Sequence, residues 1–418
     1  MRIKIKKNNT IEVFTLKLYD IDSKRPRLNN CLTKEVVDYM SKVILGFIFL
    51  TTLAYGQWSP KARKIIEDEA VKYKSFDDAG YVSYWGGIRR RFADRENTGE
   101  IKELKLPGLT ELGLKTYFRE NKQSAKLHVF FPGVFGSLDS EITKRMTHIF
   151  ENIGGNVLVI PNFLAVDYIQ SKPIYGNRSL VTDILIPLKI IDKYNKNVNE
   201  IHLYAESLGS YIGASVLARL SNRAEMKNKK LSLTLLWPPI EIKSAISSFD
   251  KNIEKSKSIY NDCSLIVNGV KTIYYFMKDF YPKEIDRDYI TCMSSMFYHA
   301  AFVKSIKKSY EETAKFDKNI EIENFNDYLK QTRPGLYTLL DNNEKDTTLK
   351  YWLNKRNFKN TRVQIVTSVD DFLNIAKDWK QFLKETGLSD ESLILMKWGG
   401  HSGPLGMPIW ADALKANL

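Results

Sequence analysis

Cysteine and histidine are scarce in this sequence, which contains three of the first and five of the second among 418 residues. It has no His-Glu-x-x-His motif and no pair of closely spaced cysteines, so the donor patterns of common zinc sites are missing. A glycine-rich phosphate loop is missing too, because Gly154 and Gly155 precede a predicted strand and do not open a helix. We therefore expect neither a metal nor any other cofactor.

Acidic residues are too few to balance the basic ones, and the formal net charge is +14. Clustered lysine and arginine would indicate nucleic-acid binding, but the lysines are dispersed and the densest arginine run covers only residues 89–91. No zinc finger, helix-turn-helix or RNA-stacking signature accompanies that run. We expect no nucleic-acid partner, only a lysine-rich solvated surface with weak attraction to anionic surfaces.

Long hydrophobic runs are also missing, since the apolar run at residues 43–53 is shorter than the roughly 20 residues of a membrane-spanning helix. The run follows Met40-Ser41-Lys42 and precedes Ala54-Tyr55-Gly56. A basic start, an apolar core and a small-x-small end are typical of a signal peptide. We interpret residues 40–56 in this way, and a buried helix or a membrane anchor remain the alternatives.

This interpretation makes residues 1–39 an upstream extension from a start codon assigned too early. Cleavage after Gly56 would give a secreted or periplasmic chain without a transmembrane segment. Of the cysteines, only Cys263 and Cys292 would remain. Export permits a disulfide between them, but buried free thiols are equally compatible with their spacing.

The rest of the chain changes its pattern several times. Two short alternating runs around Pro107-Gly108 predict an antiparallel hairpin. Apolar strands then alternate with amphipathic helices, which predicts a parallel sheet covered on both faces. The predicted divisions are an N-terminal helical extension (57–100), a first core part (101–240), a helix-rich aromatic insertion (241–360) and a second core part (361–418).

Ser207 stands in the sequence Tyr204-Ala205-Glu206-Ser207-Leu208-Gly209, which closes an apolar strand and opens a helix. A serine on such a sharp turn is pushed out over the sheet edge, provided that small residues flank it. Ala205 stands where the usual pattern has glycine. An ordinary N-cap serine is the structural alternative.

His401 lies in Gly399-Gly400-His401-Ser402-Gly403, directly after a predicted strand. Flanking glycines give a histidine the backbone freedom and uncrowded space that a general base needs. The remaining histidines lie within or near predicted packed elements: His128, His148, His202 and His299.

Ser207 and His401 follow one another at strand ends, with the insertion between the sixth and seventh strands. This order resembles the α/β-hydrolase superfamily over roughly residues 101–415, and the Gly-Gly-His-x-Gly ending is similar to that of its esterase and lipase members. The resemblance implies an α/β fold with a mostly parallel central sheet, helices on both faces and a helical cap inserted after the sixth strand.

The resemblance also implies roles for individual residues. Ser207 would be the nucleophile and His401 its base, oriented by an acid after the penultimate strand, for which we choose Asp371 with Asp370 in reserve. The oxyanion hole would be formed by the backbone amides of Val134 and Leu208. Pro132 departs from the pattern, because histidine is common at that point of the first loop.

We therefore expect an exported serine hydrolase that cleaves carboxylic esters, with a small-molecule or lipid ester as substrate. A peptidase or amidase on the same scaffold is an alternative, since the three side chains do not distinguish ester from amide. A catalytically silent binding protein is another, because Ala205 and Pro132 depart from the usual motifs.

Overall fold

A computed structural model describes two segments near the N-terminus and most of the chain after residue 96. The described residues are 2–7, 10–15, 97–174, 180–263, 271, 287–312, 319–354, 361–374, 378–388, 390–396, 400–403 and 405. The chain divides into two units, residues 1–59 and residues 60–418. The predicted signal peptide and nearly all of the predicted helical extension lie outside the described residues.

In the first unit, the described residues form an antiparallel hairpin. Its strands are β1 (Arg2–Lys7) and β2 (Thr10–Thr15), paired from Arg2 with Thr15 to Lys7 with Thr10.

The second unit contains an eight-stranded sheet. Its strands are β3 (Glu100–Leu104), β4 (Leu114–Arg119), β5 (Lys126–Phe131), β6 (Asn156–Val159), β7 (Glu200–Glu206), β8 (Lys230–Leu236), β9 (Thr361–Ser368) and β10 (Leu393–Met396). Along the sheet the order is β3-β4-β6-β5-β7-β8-β9-β10. β4 runs antiparallel to both of its neighbours, and every other pair is parallel.

Counted from β3, the strand order is 1-2-4-3-5-6-7-8 with only the second strand reversed. This is the α/β-hydrolase fold, and the prediction of the fold class is confirmed. The predicted hairpin around Pro107-Gly108 is the β3-β4 pair. Because β5, β7, β8, β9 and β10 are parallel, the loops that follow them emerge at one edge of the sheet.

The helices occupy the connections between strands. They are α1 (Glu141–Ile153), α2 (Val166–Gln170), α3 (Leu180–Tyr194), α4 (Gly209–Ser221), α5 (Ile242–Asp262), α6 (Arg287–Met296), α7 (Lys304–Glu311), α8 (Phe325–Thr332), α9 (Pro334–Asp341), α10 (Leu349–Asn354) and α11 (Trp379–Thr386). A π-helix, Phe297–Val303, joins α6 to α7. In the described part of the chain, no helix is both long and apolar enough to cross a membrane.

Both faces of the sheet are covered by apolar side chains. Alternate residues of a strand point to opposite faces, so Val129 and Phe131 belong to the larger apolar cluster with α3 and α4, whereas Phe130 packs with Phe150 of α1 in the smaller one. This two-sided burial explains why the central strands are apolar without interruption.

The helices α5 to α10 lie between β8 and β9 and include the cap. A disulfide joins Cys263, at the end of α5, to Cys292 in α6, with the two Cα atoms 5.8 Å apart. A buried ion pair joins Arg333, which precedes α9, to Asp183 of α3. Tyr168 donates a hydrogen bond of 3.0 Å to the same carboxylate. The cap is therefore tied to the core by buried charge as well as by apolar contact.

Two histidines lie side by side on adjacent central strands. His128 of β5 pairs in register with His202 of β7, and the two rings stack with centroids 5.3 Å apart. His128 Nε2 donates to the carbonyl of Gly154 at 2.7 Å. Burial, together with the neighbouring His202, lowers the pKa of His128 to about 4, and burial also lowers the pKa of His202.

These histidines predict a loss of stability in mild acid. Below pH 6.5 the unfolded chain protonates His128 while the folded chain does not, so the free energy of unfolding falls between pH 6.5 and about 4. For His128 the loss by pH 4.5 is about 2 to 3 kcal/mol. Urea unfolding at pH 7.5 and pH 4.5 measures it, and His128→Gln should show a smaller difference between the two. If the two proteins show equal differences, His128 is not the cause of the loss of stability in acid.

Candidate active site

Ser207 occupies a strained turn between β7 and α4. Its φ is 48°, in the left-handed region that L-residues other than glycine seldom adopt. The Ser207 amide donates to the carbonyl of Leu236 at 2.9 Å, which fastens the turn to β8. The strand-to-helix turn expected for a nucleophilic serine is therefore present.

Two glycines let the loop after β5 approach this turn. A β-carbon on Gly209 would lie 2.4 Å from the carbonyl oxygens of Phe131 and Pro132, so only glycine fits. A β-carbon on Gly133 would lie 3.1 Å from Cβ of Ser207. The loop at residues 132–136 and the serine turn are in direct backbone contact.

Ala205, which departs from the usual glycine, is accommodated by a glycine on the following helix. A β-carbon on Gly213 of α4 would come within 2.6 Å of the Ala205 methyl group. The close packing of β7 against α4 is thus preserved, because Gly213 on the helix provides the space that a glycine at residue 205 would otherwise provide. The departure at Ala205 is therefore no argument against the turn.

His401 lies between Ser207 and Asp371. Its Nε2 is 2.8 Å from Oγ of Ser207, and its Nδ1 is 3.0 Å from Oδ1 of Asp371. The three residues are buried, with exposed fractions of 5% for Ser207, 8% for His401 and 0% for Asp371. The Phe372 ring packs edge-to-face with the imidazole, and their centroids are 5.6 Å apart. The structure brings these three predicted residues together, and their catalytic roles stay predictions.

The buried carboxylate of Asp371 is held by several donors besides His401. Oδ1 accepts the amide of Leu373 at 3.0 Å, and Oδ2 accepts Nδ2 of Asn374 at 3.0 Å. Thr367 approaches Oδ2 at 3.5 Å. A carboxylate out of contact with water needs such partners. They fix its orientation toward the imidazole.

Asp370, the reserve candidate, contacts the backbone of the histidine loop. Its Oδ1 accepts the amide of Gly400 at 3.0 Å, while the hydroxyl of Ser368 donates to the Gly400 carbonyl at 2.5 Å. The indole of Trp237 donates to that same hydroxyl at 3.1 Å. Gly400, with a φ of 54°, is thus held on both sides next to His401.

The two predicted oxyanion donors flank the serine. Leu208 directly follows Ser207, and Val134 lies in the loop that contacts the serine turn. Among the described residues, no oxygen of the chain accepts the amide of Val134 or that of Leu208. Both N–H groups can therefore donate to an oxygen of a bound molecule. Pro132, in place of histidine, contributes its carbonyl to the local hydrogen bonds.

Aromatic side chains of the cap contact the loops on both sides of the serine. Phe135, in the loop after β5, packs against rings of the π-helix and α8. Phe372, beside Asp371, packs against rings of α5 and the π-helix. Ring centroids lie 5.0 to 6.2 Å apart for Phe135 with Phe302, Phe325 and Tyr328, and for Phe372 with Phe249, Phe297 and Tyr298. The loops that carry Phe135 and Phe372 are therefore covered by aromatic rings of the cap.

Several polar residues at the site were not predicted from the sequence. Asn162, Glu206, Ser368 and Asn374 contact the loops only after the chain has folded. Glu206 alone could have been noticed, because a carboxylate at the end of an apolar strand next to a candidate nucleophile is unusual. In the described segments no group of three or more potential metal-ligating side chains occurs.

Comparisons with known proteins found likenesses in structure alone. No protein-family model matches the sequence, and no curated protein matches it. Similar solved structures include Est1E from Butyrivibrio proteoclasticus, with 13% identity, 76% of this chain and 96% of that chain covered, and a TM-score of 0.41. The Pyrococcus furiosus esterase Pf2001 has 14% identity over 87% and 92%, with a TM-score of 0.40. The thioesterase domain from the curacin biosynthetic pathway has 14% identity over 77% and 99%, with a TM-score of 0.38.

The contact between Ala205 and Gly213 makes a prediction about stability. Gly213→Ala should lower the free energy of unfolding by about 1 to 3 kcal/mol, because the new methyl group overlaps that of Ala205. Adding Ala205→Gly should restore most of the loss. Urea unfolding of the two single variants and the double variant measures the coupling between the sites. Additive effects would show that the two positions do not compensate for each other.

Proposed function

We propose that this protein is a serine hydrolase that cleaves carboxylic esters through an acyl-enzyme on Ser207. The observation that carries the proposal is His401, with one ring nitrogen 2.8 Å from the serine hydroxyl and the other 3.0 Å from a fully buried carboxylate. A hydroxyl, an imidazole and a carboxylate in this order are the parts needed to activate an alcohol as nucleophile.

In the proposed reaction Oγ of Ser207 attacks the ester carbonyl while its proton passes to Nε2 of His401. The amides of Val134 and Leu208 donate to the oxyanion that forms. His401 then gives the proton to the departing alcohol oxygen as the C–O bond breaks. Water attacks the acyl group with His401 as base, and Ser207 is released with its proton restored. Asp371 holds Nδ1 and stabilises the imidazolium.

The aromatic rings packed against the loops next to Ser207 support an apolar acyl or alcohol group as substrate. Aromatic rings lie against the loops on both sides of the serine, through Phe135 and Phe372. Such surfaces bind apolar groups by removing them from water. A peptidase or amidase would use the same three side chains, so the leaving group has to be chosen by experiment.

A fluorophosphonate probe tests the proposal, because it reacts with activated serines. The purified chain should be labelled at Ser207, within the tryptic peptide of residues 197–219, and Ser207→Ala should abolish both labelling and ester hydrolysis. Asp371→Asn should lower kcat by about 10³- to 10⁴-fold. The matched variant Asp370→Asn keeps an acceptor for Gly400 and should lower kcat by less than about tenfold.

Absence of labelling under conditions that label a control esterase would contradict catalysis and favour a binding protein. Short and long acyl esters are compared with aminoacyl amides by kcat/KM. If the amides are hydrolysed faster than the esters, the protein is an amidase and not an esterase. Equal losses for Asp370→Asn and Asp371→Asn would contradict the assignment of Asp371.

We also propose that the protein is exported and cleaved near Gly56. The signal-peptide pattern of residues 40–56 supports this, as does the disulfide between Cys263 and Cys292, because disulfides persist in oxidising compartments. N-terminal sequencing of protein from the native cell envelope or medium should begin near Gln57. Recovery of a chain that still carries residues 1–39 would contradict export by this route.

A further inference from the structure

The peptide bond between Pro132 and Gly133 is held at both ends by buried side chains. Nδ2 of Asn162 donates to the Pro132 carbonyl at 3.2 Å. The Gly133 amide donates to Oε2 of Glu206 at 3.0 Å. Asn162 is 3% exposed and Glu206 5% exposed. Because a peptide bond is planar, fixing its carbonyl and its amide fixes the orientation of the whole unit.

The next peptide bond is fixed by a turn. The Gly133 carbonyl accepts the amide of Gly136 at 2.9 Å, and Phe135 completes the turn with a φ of 55°. In a trans peptide the N–H points opposite to the carbonyl. The direction of the Val134 N–H therefore follows from that of the Gly133 carbonyl. The amide of Asn162 adds a bond of 3.2 Å to the Gly136 carbonyl.

We propose that Asn162 and Glu206 are positioning residues that orient the Val134 amide for the oxyanion. This inference rests on the proposed function, in which Val134 is a donor. A backbone donor stabilises a transition state only when it is already directed at the developing charge, since reorienting it during the reaction costs energy. Neither side chain takes part in the proton transfers of the proposed mechanism.

The position of Glu206 leaves little room for a side chain at residue 133. A β-carbon there would lie 3.3 Å from Cδ and Oε2 of Glu206 as well as 3.1 Å from Cβ of Ser207. The loop is therefore in close contact with both Ser207 and the carboxylate of Glu206, the residue before the nucleophile. A carboxylate is a strong acceptor for a backbone amide, so it can hold the loop at this distance. The hydrogen bond from the Gly133 amide requires an acceptor oxygen on residue 206 but not a negative charge. A substitution of Glu206 that keeps the oxygen and removes the charge can test this.

The experiment compares two variants that break the bonds with one that keeps the acceptor. Glu206→Met and Asn162→Leu should each lower kcat for ester hydrolysis by about 10- to 100-fold, with KM changed less than about threefold, because the oxyanion forms only after binding. Glu206→Gln, whose amide oxygen can accept from Gly133, should recover most of the lost kcat. The affinity of a trifluoromethyl ketone, which forms a tetrahedral adduct on Ser207, should fall in parallel with kcat.

A buried asparagine far from the site provides the matched control. Asn156 begins β6 and bonds the carbonyls of Ser124 and Lys126 and the amide of Asn121. Asn156→Leu should lower thermal stability as Asn162→Leu does, while kcat and ketone affinity stay at wild-type values. If Asn162→Leu does not fold, the smaller change Asn162→Ser replaces it in the same measurements.

The outcomes separate this inference from the proposed function. If wild-type protein neither reacts at Ser207 nor hydrolyses esters, the proposed function itself is wrong. If the wild type is active but Glu206→Met and the Asn162 variants keep the kcat of the Asn156 control, the positioning role is overturned. A loss in Glu206→Gln as large as in Glu206→Met would also overturn it, since the charge would then matter and not the bond.

Discussion

The backbone of Gly209 lies so close to the carbonyl oxygens of Phe131 and Pro132 that a β-carbon would come within 2.4 Å of both. This approach joins the loop after β5 to the turn that carries Ser207, and the remaining features of the site depend on it. It places Gly133 against the nucleophile and brings the loop that carries Val134 next to the turn that carries Leu208. The parallel sheet makes the approach possible, because the loops that follow β5 and β7 leave neighbouring strands at the same edge.

The two loops that complete the site, after β9 and β10, are held by hydrogen bonds from buried side chains. Asp370 and Ser368 fix Gly400 on either side of its backbone, while Asn374 and the Leu373 amide fix Asp371. Polar groups out of contact with water must be paired, and here each pairing also fixes a loop. The cap adds aromatic packing against Phe135 and Phe372. The loops of the site are therefore held by apolar contacts with the cap and by hydrogen bonds from buried polar groups.

The sequence predicted those parts of the molecule whose signal is local. Strand and helix positions follow from hydrophobic periodicity, and Ser207 and His401 could be chosen because each stands just after an apolar strand. Glycines around His401 were informative for the same reason. Asp371 was chosen over Asp370 only because the resemblance to the α/β-hydrolase superfamily implies an acid in the loop after the penultimate strand. Asn162 and Glu206 could not be assigned, since their importance arises from contacts with a loop about 30 and 73 residues away. The compensation of Ala205 by Gly213 and the pairing of Cys263 with Cys292 likewise depend on tertiary packing, which spacing along the chain does not encode.

The proposed mechanism requires a covalent bond between substrate and Ser207, and this bond can be observed during turnover. An ester with a slowly hydrolysed acyl group is mixed with the full chain, the reaction is quenched in acid within milliseconds, and the peptides are analysed by mass spectrometry. We expect a mass increase equal to the acyl group on Ser207. The adduct should form in a burst before steady state and should be absent in Ser207→Ala. Hydrolysis that proceeds without this adduct, or with the acyl group on another side chain, would contradict the proposed mechanism.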